Sequence, residues 1–270
     1  HPVAHSFPTR RSSDLVVEKH GADAFRFTLA AFAAQGRDVK LSEERIAGYR
    51  NFVNKIWNSA RLALMNLDEA DGGEGPENAV FSLAERWILT RLRRVSLEVQ
   101  EALDAYRFNE AAMLCYQFTW HEFCDWYLEM AKQGLYSDDE TLKRSTRYVL
   151  RQAMLGVLRL AHPFMPFVTE ELWHRMPGTE GSVMVAPFPR PEDYLEDPAA
   201  LEEMDLLSGL ITAIRNIRGE MNIPPGKKVS VVAEMPVRAQ ADVVRRNVAH
   251  VQALASVASV EITESTEKPE

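Results

Sequence analysis

The sequence predicts a mainly α-helical bundle with a small α/β piece at its C-terminus. Three observations carry this. Apolar residues recur at three-to-four spacing through most of the chain from Val16 to Met221. Polar capping residues followed by acidic first turns stand before several of these runs. Strand composition is confined to the stretches 228–233 and 257–263, after Pro224-Pro-Gly226.

Residues 16–34 read as a helix with Phe25, Leu29 and Phe32 on its apolar stripe, broken by Gly36-Arg-Asp38. Ser42 reads as an N-cap with Glu43 and Glu44 in the first turn. The long helix that follows reaches about Leu67. Its expected core stripe is Ile46, Tyr49, Val53, Ile56, Trp57, Ala60, Ala63, Leu64 and Leu67. Residues 68–78, with Asp-Gly-Gly and Gly-Pro, read as a linker.

Ser82 and Glu85 form a capping-box pattern before Trp87, Ile88, Leu92, Val95 and Val99. Residues 108–132 read as one aromatic, amphipathic helix with Trp120, Phe123, Tyr127, Leu128 and Ala131 inward. Ser137 opens a helix to about His162, which Pro163 and Pro166 punctuate. Thr169 starts a short helix to His174, with Phe164, Met165, Phe167 and Trp173 filling the bundle. Residues 183–191 read as extended, and 201–221 as helical. A β-α-β piece closes the chain, its helix over 239–254. Two strands alone are marginal, which predicts more chain beyond Glu270.

Residues 1–15 have neither period nor caps. They look like a translated sequencing adaptor and are expected to be foreign and unstructured. The expected divisions are then 16–70 with the first bundle helix, a linker at 71–81, the bundle at 82–226 and the C-terminal piece at 227–270. A chain without a natural start is expected to be a fragment, and the apolar face of helix 16–34 to be left uncovered.

Composition narrows the function. The 270 residues are 46% apolar and 26% charged, as in a soluble globular protein, and no run approaches a membrane span. The net charge of −8 argues against a generic nucleic-acid binder but leaves room for local basic patches. Cys115 and Cys124 lie about 13 Å apart along a helix, too far for a disulfide. Both are expected as free thiols in a reducing, cytoplasmic setting.

No phosphate-cradling glycine loop and no nucleophile elbow is present. Cys115, His121 and Cys124 lack zinc spacing. Glu122, Asp125 and Glu129 read as a solvated helix face.

What remains points to RNA. On the long helix Asn51, Asn54, Asn58 and Arg61 share a face opposite the apolar stripe. Asparagine is a poor helix former, yet its donor and acceptor suit unstacked base edges. An ordinary polar face is the alternative. Trp126 stands about 120° from its helix's core direction, placed either to stack on a base or to pack on a neighbouring helix. Lys143, Arg147 and Arg151 recur every four residues as a basic ridge. Arg86, Arg91, Arg93 and Arg94 crowd another helix. Arg215 and Arg218 precede Lys227 and Lys228. Each group meets either phosphates or neighbouring carboxylates.

Several motifs, in order, add a resemblance. They are Val17-Glu-Lys-His-Gly-Ala-Asp-Ala-Phe-Arg-Phe27, Gly36-Arg-Asp-Val-Lys40 and Gly48-Tyr-Arg-Asn-Phe-Val-Asn-Lys-Ile-Trp-Asn58. Phe123-Cys-Asp-Trp-Tyr-Leu-Glu129 and His162-Pro-Phe-Met-Pro-Phe-Val-Thr-Glu-Glu-Leu-Trp173 follow. Ile214-Arg-Asn-Ile-Arg-Gly-Glu-Met-Asn-Ile-Pro-Pro-Gly-Lys227 is the last. Together they resemble the valyl-tRNA synthetases, a class I aminoacyl-tRNA synthetase family, from the end of the catalytic region through the anticodon-binding bundle.

The resemblance implies a parent protein, monomeric, that joins valine to its tRNA with ATP and magnesium. It implies no catalytic or editing residue and no cofactor site in this chain, and neither a membrane nor DNA as partner. By likeness to the methionine enzymes, Asn54, Asn58 and Trp126, with Arg61, would meet the anticodon. Arg147, Arg151, Arg215 and Arg218 would meet tRNA phosphates. Two other readings remain: the same region of an isoleucine, leucine or methionine ligase, or a helical interaction module with no RNA role.

Overall fold

The computed structural model describes residues 8–33, 42–73 and 75–263, with side chains from Asp14 onward. Helices dominate, as expected: α1 (Pro8–His20), α2 (Ala22–Phe32), α3 (Glu43–Asn66), α4 (Leu83–Asp104), α5 (Phe108–Gln117), α6 (Leu128–Leu135), α7 (Glu140–Ala161), α8 (Pro166–Trp173), α9 (Pro198–Glu220), α10 (Arg238–Arg246) and α11 (Val248–Ala255). Strands β1 (Val229–Glu234) and β2 (Val257–Thr263) pair in parallel. Contacts divide the chain into two compact units, His1–Val80 with Arg91–Leu195, and Phe81–Thr90 with Glu196–Glu270. The division falls inside α4 and ahead of α9, so α9 groups with the β-α-β piece rather than with the helices at 91–195.

In the first unit, helical backbone begins at Pro8, within the segment expected to be unstructured. The single helix expected over 16–34 is two helices, broken at Gly21, whose φ of +88° suits a residue without a Cβ. α2 buries Phe27 rather than Leu29, and its apolar face is covered by α3 and α5 within this chain. An aromatic cluster joins these elements. Phe27 lies 4.8 Å from Tyr49 and 5.1 Å from Phe52, and Tyr116 lies 4.8 Å from Phe52 and 5.6 Å from Trp120.

The helix expected over 108–132 changes hand-over-hand into a π-helical stretch, Phe118–Tyr127, between α5 and α6. Phe123, Tyr127, Leu128 and Ala131 point inward as expected. At α7 the cap is Asp139, which accepts from the Thr141 and Leu142 amides at 2.8 and 3.2 Å, while Ser137 accepts from the Asp139 amide. Helix α8 begins at Pro166, three residues ahead of the expected start. Its exposed amides are met from α2, where Asp23 accepts from Phe167 N–H at 3.2 Å and Val168 N–H at 2.6 Å. Phe164, Met165 and Trp173 fill the core; Phe167 is 64% exposed and does not.

In the second unit, Ser82 and Glu85 form the expected cap: the Ser82 amide donates to Glu85 Oε2 at 3.0 Å. Arg86 ties this helix start to α9 through Asp197 at 2.7 Å and Glu203 at 2.9 Å. The helix expected over 239–254 is broken at Asn247 into α10 and α11.

Candidate RNA interface

Helix α3 is set by its cap and its stripe. Ser42 Oγ accepts from the Arg45 amide at 3.4 Å. The buried face is Ile46, Phe52, Ile56, Ser59, Ala60 and Ala63. Phe52 thus replaces Trp57 in the expected stripe. With each residue turning about 100°, the opposite arc holds Arg50, Asn51, Asn54, Asn58, Arg61 and Met65, all exposed.

Among the described residues, Arg50, Asn51, Asn54, Asn58 and Arg61 have no side-chain hydrogen bond and no ion pair. Two less exposed asparagines differ: Asn66 donates to Leu62 O and Asn247 to Val243 O, both at 2.8 Å. The row therefore presents intact donors, acceptors and two guanidinium groups to solvent.

Lys55, on the flank of this arc, pairs with Asp125 at 2.7 Å and lies 5.3 Å from the Trp120 ring centroid. That pair pins the π-helical stretch to α3. Trp126 follows Asp125 in this stretch and is half-buried. Glu122 meets Arg91 through two bonds of 2.6 and 2.9 Å. Glu122 and Asp125 are therefore bound to cations of neighbouring helices, not a solvated face.

The other predicted cations are placed differently. Arg151 is buried and donates to Pro177 O at 2.8 Å and Gly178 O at 3.3 Å. Gly178 adopts φ +68° against Gly72, where a Cβ would lie 2.6 Å from the Gly72 Cα. Arg151 thus holds a tight loop against α7, and burial pulls its pKa down. Arg147 faces Asp68 at 3.5 Å and Asp71 at 3.9 Å, and Lys143 faces Glu140 at 3.2 Å. No open basic ridge forms on α7.

In the second unit Arg218 is also buried. It donates to the carbonyls of Lys227, Ser256, Pro224 and Pro225 at 2.9 to 3.4 Å, organising the Pro-Pro-Gly turn against the start of β2. Arg215 is exposed and donates to Leu254 O at 3.0 Å. Lys227 and Lys228 are exposed, and Arg93 donates to Pro191 O at 2.7 Å.

Of the predicted set, the structure gathers Asn54, Asn58 and Arg61 on one arc, leaves Trp126 half-buried in the π-helical stretch, and buries Arg151 and Arg218 against backbone carbonyls. Arg50 and Met65 were missed, though the helical phase that groups the asparagines also includes them. Trp57 was misplaced in the core.

Neither cysteine is placed to act as a nucleophile. Cys115 and Cys124 are free and buried, and burial pushes both thiols up to about 12. No cluster of metal-ligating side chains occurs among the described residues. Nor is any helix there long and apolar enough to cross a membrane.

Comparison with known proteins identifies the family of this helical bundle. The chain belongs to the family of anticodon-binding domains of tRNA ligases, whose model matches residues 85–233. That span holds Trp126, Arg147, Arg151, Arg215 and Arg218; α3 precedes it.

Among curated relatives, the valine–tRNA ligase of Geobacter sulfurreducens is 49% identical over 259 residues. That of Syntrophotalea carbinolica is 48% identical over 257, and that of Desulfotalea psychrophila 40% over 259. Each match covers 94% of this chain and 29% of the relative, so the chain spans under a third of their length. The resemblance to the valyl-tRNA synthetases is thereby borne out.

The LeuRS chain of an Agrobacterium radiobacter K84 complex with tRNA and LeuAMS shares the fold, with a TM-score of 0.52 at 20% identity. It covers 67% of this chain and 21% of that one. The segment 36–40, one of the motifs that carry the resemblance, lies outside the described residues.

Proposed function

We propose that this chain is the tRNA-recognising portion of a valine–tRNA ligase, and that the exposed arc of α3 meets the anticodon. The row from Arg50 to Arg61 carries the reading, because its five polar side chains have no partner among the described residues. Asn54 and Asn58 read base edges, Arg50 and Arg61 meet loop phosphates, and Trp126 borders the site. The whole protein would join valine to its tRNA with ATP and magnesium. The nucleotide chemistry belongs to the parts of the relatives that this chain does not span. The two buried free thiols fit a reducing compartment such as the cytoplasm.

The test is binding of the chain to valine tRNA, to the same tRNA with altered anticodon bases, and to an unrelated tRNA. The first should bind most tightly. Asn54→Ala and Asn58→Ala should each weaken it about three- to tenfold, one hydrogen bond's worth. Equal affinity for all three RNAs, from a folded chain, overturns the reading.

A further inference from the structure

The exposed arc of α3 has an aromatic margin that the sequence pattern concealed. Trp57 is 38% exposed, although its spacing suits the core. Asn54 lies three residues before it and Arg61 four after, two of the positions that neighbour a side chain on a helix surface. Arg175, just beyond α8, places its Cζ 5.5 Å from the ring centroid and is half exposed beside Glu171. An indole left half open costs stability unless something covers it. Arg50 and Arg61, seven residues before it and four after, share its side of α3, while Arg175, paired with Glu171, lies against the ring; a cationic surface with an open ring suits a polyanion that also carries flat apolar surfaces.

We infer that Trp57 is a stacking platform for one unpaired RNA base. The Arg175 guanidinium, itself paired with Glu171, holds the ring in place. The inference rests on the reading of α3 as the RNA-binding face. It extends that reading from hydrogen bonding at Asn54 and Asn58 to stacking at the edge of α3 that meets Arg175. The occupant is a base rather than a protein side chain, because an RNA strand alternates phosphates and flat rings along one chain, as Arg50, Trp57 and Arg61 alternate cation and indole along α3.

The experiment uses the 270-residue chain and an RNA hairpin bearing the valine anticodon loop, with each loop nucleotide made abasic in turn. Trp57→Leu keeps an apolar side chain but removes the ring, and should weaken binding about five- to a hundredfold. Trp57→Phe should recover part of this. One abasic position should weaken the unaltered chain by the same factor and leave Trp57→Leu unaffected, a coupling that a packing role would not produce. Arg175→Ala should show a smaller loss. If Trp57→Leu binds as the unaltered chain does while Asn54→Ala/Asn58→Ala binds weakly, stacking is overturned and the α3 reading stands. If neither variant loses affinity, both fall. A loss in Trp57→Leu that is equal for every abasic hairpin also overturns stacking.

Discussion

Arg218 donates to four carbonyl oxygens at the join between α9, the Pro-Pro-Gly turn and β2. Its five donors in a rigid plane suit such a cluster; an ammonium would reach one or two of the acceptors. Arg218→Ala should therefore lower unfolding stability by about 2–3 kcal/mol, and Arg218→Lys should recover little. Urea melts of the two variants decide this, and a Lys variant as stable as the parent would sink the account. His250 poses the opposite problem. It is buried with its Nδ1 unpartnered, and burial pulls its pKa from 6.5 down to about 4. The unfolded chain then takes the proton first, so this residue's contribution is intact above about pH 6.5 and is lost as pH falls towards 4. The loss is on the order of 3 kcal/mol. His250→Leu should flatten the stability profile in that window, and a profile as steep as the parent's would show that other groups control it.

At the scale of elements, what could be read in the sequence was whatever a helix does by itself. Ser42, Ser82 with Glu85, and the stripe Trp87, Ile88, Leu92, Val95 and Val99 all stand where periodicity and capping put them. What escaped depends on a second segment laid alongside. Arg151 reads as part of an exposed ridge until the loop at Pro177 and Gly178 covers it. Trp57 and Phe167 fit an inward pattern, yet no element covers them fully. The start of α8 is another such case, because its cap comes from Asp23, 144 residues earlier than Phe167. Asp23→Ala leaves two amides of α8 without acceptors and should cost about 1–2 kcal/mol. Asp23→Asn, which keeps one acceptor oxygen, should cost less. Thermal melts of both rank them, and equal melting of Asp23→Ala and the parent would mean that water serves α8 as well.

For the molecule as a whole, the net charge of −8 must be reconciled with a polyanionic partner. The resolution lies in which cations are free. Arg86, Arg91, Arg147, Arg151 and Arg218 are bound to carboxylates or carbonyls. Arg50 and Arg61 are not, and they flank the asparagines. Binding should thus depend on few phosphate contacts and more on base contacts, within a molecule whose overall field repels RNA. Each phosphate met on a single strand contributes about −0.7 to the slope of log affinity against log salt. Two or three contacts predict a slope near −1.5 to −2, far shallower than that of a basic nucleic-acid binder. Arg61→Ala should lessen the slope by about 0.7, whereas Asn58→Ala should lower affinity at every salt concentration and leave the slope unchanged. A titration across salt concentrations separates these effects. Parallel lines for Arg61→Ala and the parent would remove Arg61 from the phosphate contacts. A slope several times steeper would mean that cations beyond α3 carry the binding, with Lys227, Lys228 and Arg144 next in line because they too are exposed.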